Sequence, residues 1–173
     1  MLPALTSLLA LQKVESRADE ARRRIADAPA RVQALDTQLA EATAALERAK
    51  TALAESQTAR RELEKEAASA QQKVSKYKEQ LMQAKDNKQF HALQHEIATF
   101  SAEVQRVEGL VLERMLEGDE LTAAVKSAET RLAADKKHVA TQKSQIDAEA
   151  TELSATLAAL QTERAELVTA IDP

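Results

Sequence analysis

The stretch QAKDNKQF, residues 83–90, lies at the middle of the 173-residue chain, between long runs rich in Ala, Leu, Glu, Lys, Arg and Gln. Its central tetrapeptide KDNK is polar and turn-prone, because Asp or Asn caps a new helix and Asn tolerates the left-handed conformation that ends an old one. Asp86 and Gln89 also have the spacing of a capping box. We therefore predict a tight turn near residues 85–88.

Apolar residues recur at alternating steps of three and four on both sides of this stretch. The stripe over residues 11–84 has 22 positions, and only Ser56 and Arg60 are not apolar. The stripe over residues 90–170 has 24 positions, of which 17 are apolar, and it drifts by one residue after position 146. A repeat of 3.5 residues sustained over this length predicts a left-handed coiled coil.

The two stripes are out of phase across the turn, which indicates two helices rather than one. A short connection makes consecutive helices antiparallel neighbours. Residues whose numbers sum to 174 should then face each other, so that Leu46 meets Ala128 and Val74 meets Phe100. Large residues repeatedly face small ones, which lets the layers interdigitate. The predicted fold is all-α, a long antiparallel two-helix coiled-coil hairpin.

Pro29 is the main irregularity of the first arm, because proline lacks a donor and clashes with the preceding helical turn. The apolar stripe keeps its phase through this position, which favours a kink or a restart capped by Asp27, with a full break as the alternative. The predicted single domain of residues 1–173 comprises an N-terminal arm 1–28, a first long helix 29–85, a turn 86–88 and a second long helix 89–171.

The 174 pairing also brings together the positions that break the apolar pattern. It places Arg60 opposite Arg114 and Ser56 opposite Gly118, so that two like charges share a layer unless a nearby glutamate pairs with them. One interpretation is a polar layer that sets the register, and the alternative is a hinge or a notch for a partner. Gly118 favours flexibility and is a second candidate kink. The predicted polar core layer is Ser56, Arg60, Arg114 and Gly118.

Composition excludes several kinds of chemistry. The chain has no cysteine, so it contains no disulfide and no thiolate zinc site. No apolar stretch approaches the ~20 residues that span a bilayer. His91 and His95 have helical i, i+4 spacing, but the Glu and third ligand of a zinc protease motif are missing. We predict a cytoplasmic, non-enzymatic protein without a cofactor of its own and without a membrane segment.

A local positive bias at the turn contrasts with the net charge of -4. Such a cluster is either a solubilising face or a docking surface for an acidic protein or a nucleic acid, since lysines meet either partner electrostatically. No motif for reading a base sequence is present. The candidate partner-binding residues at this tip are Lys73, Lys76, Tyr77, Lys85, Asn87, Lys88, Phe90 and His91.

The segment KYKEQLMQAKDNKQFHALQHEIATF, residues 76–100, resembles the tip of bacterial coiled-coil hairpin proteins that carry a four-cysteine zinc ribbon after the hairpin. LLALQKVESRADEARRRIADAPARVQAL, residues 8–35, is similar to the start of the same family, including Pro29. Gln89 and Phe90 replace the usual Glu and Tyr of the family. The matching tip residues are Tyr77, Leu81, Asn87, Lys88, Phe90, Ala92, Leu93, Glu96 and Ile97.

This resemblance implies an adaptor or chaperone-like regulator. Its relatives are associated with flagellar or type III secretion components, with the nitrogen-type alternative sigma factor, and in some cases with RNA. Zinc is expected only if a ribbon follows in the full gene product, since these residues contain no cysteine. Protein partners are the leading expectation, with RNA binding through the basic tip or a structural spacer as alternatives, and a homodimer is compatible with the same pattern.

Overall fold

The computed structural model describes residues 3–171 and the side chains of residues 5–170. Two α-helices make up this part of the chain: α1, Pro3–Met82, and α2, Asn87–Ile171. They pack against each other as an antiparallel pair, and no strand occurs among the described residues. The predicted all-α two-helix hairpin is therefore confirmed.

Helix α1 ends earlier than the predicted residue 85. The Gln83 N–H donates to the Gln80 carbonyl at 3.0 Å and the Ala84 N–H donates to the Leu81 carbonyl at 3.3 Å. These i→i+3 bonds tighten the last turn and use carbonyls that a helix end leaves free. No described residue has a positive φ, so the left-handed ending expected from Asn is wrong.

Asp86 caps the N-terminus of α2. Its Oδ1 accepts a hydrogen bond from the Gln89 N–H at 2.7 Å, and its carbonyl accepts the first helical bond from the Phe90 N–H at 3.0 Å. This is the half of the predicted capping box that needs only the Asp side chain. The helix consequently starts at Asn87, two residues before the predicted position 89, and the connection comprises residues 83–86.

Pro29 lies inside α1 and does not divide it. The predicted boundary between an N-terminal arm 1–28 and a first helix from 29 is therefore wrong. The ring is exposed, whereas Ile25, Ala28 and Val32 beside it are half-buried in the stripe. Packing of these neighbours on α2 offsets the one backbone hydrogen bond that proline removes.

Burial follows the heptad stripe. Each of the 22 stripe positions over residues 11–84 is buried or half-buried. In α2 the stripe shows the predicted drift, because Ala150 and Leu157 are half-buried as well as Glu149 and Thr156. The periodicity therefore identified the packed face of both helices.

The hairpin divides into two compact units. One contains the chain up to Thr43 and from Arg131 onward, and the other comprises Ala44–Thr130. In the first unit, buried Val14, Ala18 and Leu160 form an apolar cluster, on which Leu157 and Leu167 pack. Val14 and Leu160 are a pair whose numbers sum to 174, as predicted.

The second unit has its own apolar cluster. Ala70, Val74 and Val104 are buried there, with Ile97 and Phe100 packed against them. Ala70 with Val104 and Val74 with Phe100 are both 174 pairs. The predicted register therefore agrees with the packing of each unit.

Ion pairs between the helices obey a second regular rule. Three of them join the residue that directly follows a stripe position of α1 to its counterpart in α2, and in these three the paired numbers sum to 179. Because the partners are largely exposed, these pairs select the register more than they add stability. The pairs are Glu15–Arg164 and Asp36–Lys143 (2.6 Å) in the first unit and Lys50–Glu129 (3.8 Å) in the second.

Glu149 is a carboxylate within the apolar stripe of the first unit, where the predicted pairing with Ile25 is imperfect. The structure supplies two arginines from α1: Arg31 Nη1 donates to Glu149 Oε2 at 2.9 Å, and Arg24 donates to Oε1. These hydrogen bonds, that from Arg31 foremost, hold the pKa of Glu149 below its ordinary value. The charge is thus tolerated at a half-buried position.

Candidate functional site

The hairpin tip, defined here as residues 71–97, lies in the second unit and presents a basic surface. All five lysines of this segment are exposed, and none forms an ion pair within the described part of the chain. Of the seven lysines outside the tip, three form ion pairs: Lys50, Lys65 and Lys143. Lysines without an ion pair are therefore densest at the tip: Lys73, Lys76, Lys78, Lys85 and Lys88.

Two of the predicted tip residues contribute to an aromatic cluster. The Tyr77 ring stacks on Phe100 with centroids 5.7 Å apart and an interplanar angle of 26°. Lys73 Nζ lies 4.7 Å from the centre of the Phe100 ring, a cation–π distance. Tyr77 and Phe100 are half-buried, so this cluster stiffens the base of the tip. Phe100 was identified from the sequence only as a core residue.

Phe90 lies nearer the turn and is more exposed than its place in the stripe predicts. Its side chain is 38% exposed, and its ring meets His91 edge to face at 6.0 Å. Met82 is 88% exposed at the end of α1 and was missed by the stripe analysis, because it lies outside the stripe. The signal available in the sequence was an apolar residue off the stripe beside the turn.

The remaining tip residues are polar and open to solvent. Lys76, Lys85, Asn87 and Lys88 are exposed around the connection, and His91 and His95 are exposed along the first turns of α2. Within the described residues, no group of three or more His, Asp or Glu side chains is arranged to hold a metal ion. The tip therefore combines exposed cations that form no ion pair with two accessible apolar side chains, a composition suited to binding another macromolecule.

The predicted polar layer is found farther along the second unit. Ser56 is only 6% exposed, and its hydroxyl donates to Glu117 Oε2 at 3.4 Å. Arg114 donates to the same oxygen at 2.5 Å. Arg60 Nε lies 3.1 Å from Glu64 Oε1 as an ion pair, although its N–H lacks hydrogen-bond alignment.

Each arginine of this layer thus forms an ion pair with a glutamate of its own helix. Arg60 is half-buried, whereas Arg114 extends into solvent, so the two like charges do not share one buried layer. Gly118 is helical, and a Cβ added there would meet nothing within 4 Å. The polar layer therefore consists of two ion pairs, each within one helix, beside the buried hydroxyl of Ser56.

A second exposed surface was not identified from the sequence. Leu112, Met115 and Leu116 are 61%, 44% and 68% exposed on the outer side of α2. They lie outside the stripe, at i, i+3 and i+4, where side chains share one helix face. The available signal was the apolar content of residues 110–116, where five of seven residues are apolar, more than a stripe requires.

Two long antiparallel helices, packed through a heptad stripe and joined by a four-residue connection, define a coiled-coil hairpin protein. Residues 11–173 match the family model of the CT398-like coiled coil hairpin domain, and the chain belongs to this family. No curated protein and no solved structure gave a significant match. No helix within residues 3–171 is long and apolar enough to cross a membrane.

Proposed function

We propose that the chain is a non-enzymatic protein-interaction module that docks an acidic partner protein through the hairpin tip. The observation that carries this proposal is the set of five unpaired, exposed lysines around accessible Met82 and Phe90. Lysines without an ion-pair partner in the hairpin lose no ion pair on binding, and exposed apolar side chains supply burial at an interface. Family membership supports an interaction role in general.

The ordering of the tip supports the same role. The aromatic cluster of Tyr77, Phe100 and Lys73 and the Asp86 cap hold the connection between two regular helices. A preorganised surface binds with a smaller entropic cost than a loop that must order first. These contacts favour an ordered surface for charged and apolar interactions.

The family resemblance narrows the candidate partners and the setting. We propose an adaptor or chaperone-like regulator in the cytoplasm, with secretion or flagellar components or an alternative sigma factor as the first proteins to test. A zinc ribbon would belong to the assembly only where cysteines follow in the full gene product, and no step of the proposed role uses zinc.

The test compares partner capture by the wild type and by Lys85→Glu/Lys88→Glu, with bound proteins quantified by mass spectrometry. Lys136→Glu/Lys137→Glu is the matched control, because it makes the same change in net charge at two exposed lysines outside the tip. We expect the tip variant to lose specific partners that the control retains. Equal capture by both variants would contradict docking through the tip.

RNA binding through the same lysines is the competing role. Phosphate contacts make affinity fall steeply with salt, and nuclease treatment removes any partner that is held through RNA. If the captured proteins disappear with nuclease, or if RNA binds the wild type but not the tip variant at low salt, the acidic-protein proposal is replaced by nucleic-acid binding.

A further inference from the structure

We infer that the exposed apolar patch of Leu112, Met115 and Leu116 is a second docking surface, whose occupant is a basic amphipathic helix of another protein. This inference is independent of the tip, since it concerns other residues and the opposite charge. It rests on an exposed apolar cluster that lies outside the stripe packed between α1 and α2.

The patch is unused by the hairpin itself. Its three side chains are between 44% and 68% exposed, whereas the stripe residues Val107 and Val104 of the same helix are 0% and 8% exposed. Grouped apolar side chains on a surface mark interaction sites, whereas scattered ones need no explanation. The i, i+3, i+4 spacing creates a short apolar ridge of the kind that a partner helix packs against.

A shallow groove extends this ridge towards α1. It is lined by Ala67, Val111 and Leu112, with Glu64 and Glu108 at its edges. Leu112 belongs to both the ridge and the groove, so an apolar side chain of a bound helix can enter the groove while its neighbours cover Met115 and Leu116. The surface therefore has both the apolar character and the ridge-and-groove shape through which helices pack.

The charges around the patch specify the partner. Glu108 lies one turn before Leu112, and Asp119 and Glu120 lie one turn after Met115 and Leu116, with Glu113 between them. All four carboxylates are exposed, and none forms an ion pair within the described residues.

Arg114 is the cation within residues 108–120 of α2, and it is engaged by Glu117 at 2.5 Å rather than by these four carboxylates. An apolar ridge bordered by free carboxylates complements a helix that has an apolar stripe bordered by Lys and Arg. The same carboxylates repel an acidic helix, so the surface discriminates between basic and acidic partner helices.

The test uses the full chain and a labelled amphipathic peptide of Leu and Lys, with a Leu and Glu peptide of the same pattern as the reference. Binding is measured by fluorescence anisotropy at physiological salt. We expect the Lys peptide to bind and the Glu peptide not to bind. Leu112→Ser/Leu116→Ser should weaken binding by about tenfold or more, since it removes both of the most exposed anchors.

Two controls separate the patch from general charge attraction. Leu8→Ser/Leu9→Ser removes two comparably exposed leucines, each 51% exposed, from a face without the carboxylate ring, and should change affinity by less than about twofold. Lys85→Glu/Lys88→Glu should retain peptide binding, which distinguishes failure of this inference from failure of the tip proposal. Circular dichroism checks that each variant keeps its helix content.

A second variant keeps the inference testable if the serine pair disturbs the helix. Glu113→Gln/Glu120→Gln retains the apolar ridge and should weaken binding of the Lys peptide by several-fold. Equal affinity of the wild type and both patch variants would overturn the inference. Self-association of the wild type that Leu112→Ser/Leu116→Ser abolishes would also overturn it, because a second copy would then cover the patch.

Discussion

Replacing Leu46 by Ala tests the packed stripe and its register in one experiment. Leu46 is 6% exposed in the second unit, so the substitution removes three nearly buried carbons. At about 0.8 kcal/mol for each carbon, the lost burial amounts to about 2.4 kcal/mol. A closed core adds a cavity penalty, but the groove between two helices admits water, so we expect a total loss of about 2–3 kcal/mol.

Leu116→Ala is the matched control in the same unit. The same three carbons are removed, but the side chain is 68% exposed in the wild type and α1 does not cover it. We expect a loss below about 1 kcal/mol, partly offset by the slightly better helix propensity of Ala. Urea unfolding followed by circular dichroism at 222 nm gives both free energies, and equal slopes ensure that the variants expose the same surface.

The facing residue provides a stricter test. The 174 pairing places Ala128 opposite Leu46, so Leu46→Ala/Ala128→Leu exchanges a large and a small residue across one layer. We expect the double variant to recover at least half of the loss, a coupling of about 1 kcal/mol or more between neighbours. Strictly additive effects, or similar losses for Leu46→Ala and Leu116→Ala, would refute the assigned register.

Three other substitutions test single features of the hairpin. Glu149→Gln should lower the free energy of unfolding near neutral pH. Because the folded pKa of Glu149 is lowered, its stabilising contribution is present above the ordinary value of 4.5 and is lost as the pH falls through the folded pKa. Urea unfolding at a series of pH values should therefore show the difference from wild type shrinking at low pH. Gly118→Ala should raise the free energy of unfolding by about 1 kcal/mol, because the added Cβ meets nothing within 4 Å, and a destabilised variant would contradict this. Asp86→Ala should lower it by about 1 kcal/mol through loss of the cap, whereas Asp86→Asn should remain close to wild type in the same urea assay.

The fold was predictable because a coiled coil repeats one simple constraint many times. The stripe over residues 11–84 required only that apolar residues recur every 3.5 positions, and single exceptions such as Ser56 left its phase intact. The phase shift at KDNK then located the reversal to within a few residues. Local effects were harder to predict. Whether α1 continues through Pro29 depends on whether the packing of its neighbours on α2 outweighs the lost backbone hydrogen bond, and the sequence does not give the quality of that packing.

The candidate site was less predictable than the fold. The lysines of the tip were identified because a local excess of positive charge can be read from the sequence. Their lack of ion pairs depends on which residues lie near them in the folded hairpin, and the sequence does not show this. Met82 and the patch around Leu112 were missed because attention to stripe positions discards apolar residues elsewhere. The partners of Glu149 were also hidden, because Arg24 and Arg31 lie about 120 residues away in sequence.

A coiled-coil hairpin uses two positions of every seven for its core, so its remaining positions are where function can be encoded. On those positions some charges of this chain form local or interhelical pairs, as Arg106 does with Glu103 at 2.7 Å. The tip lysines and the carboxylates around Leu112 form no ion pair within the described residues, and each group lies beside apolar side chains that the fold leaves exposed. Two surfaces of opposite charge on one hairpin suit the simultaneous capture of an acidic and a basic partner. The proposed adaptor would use both surfaces, whereas a purely structural spacer would need neither of the exposed apolar groups.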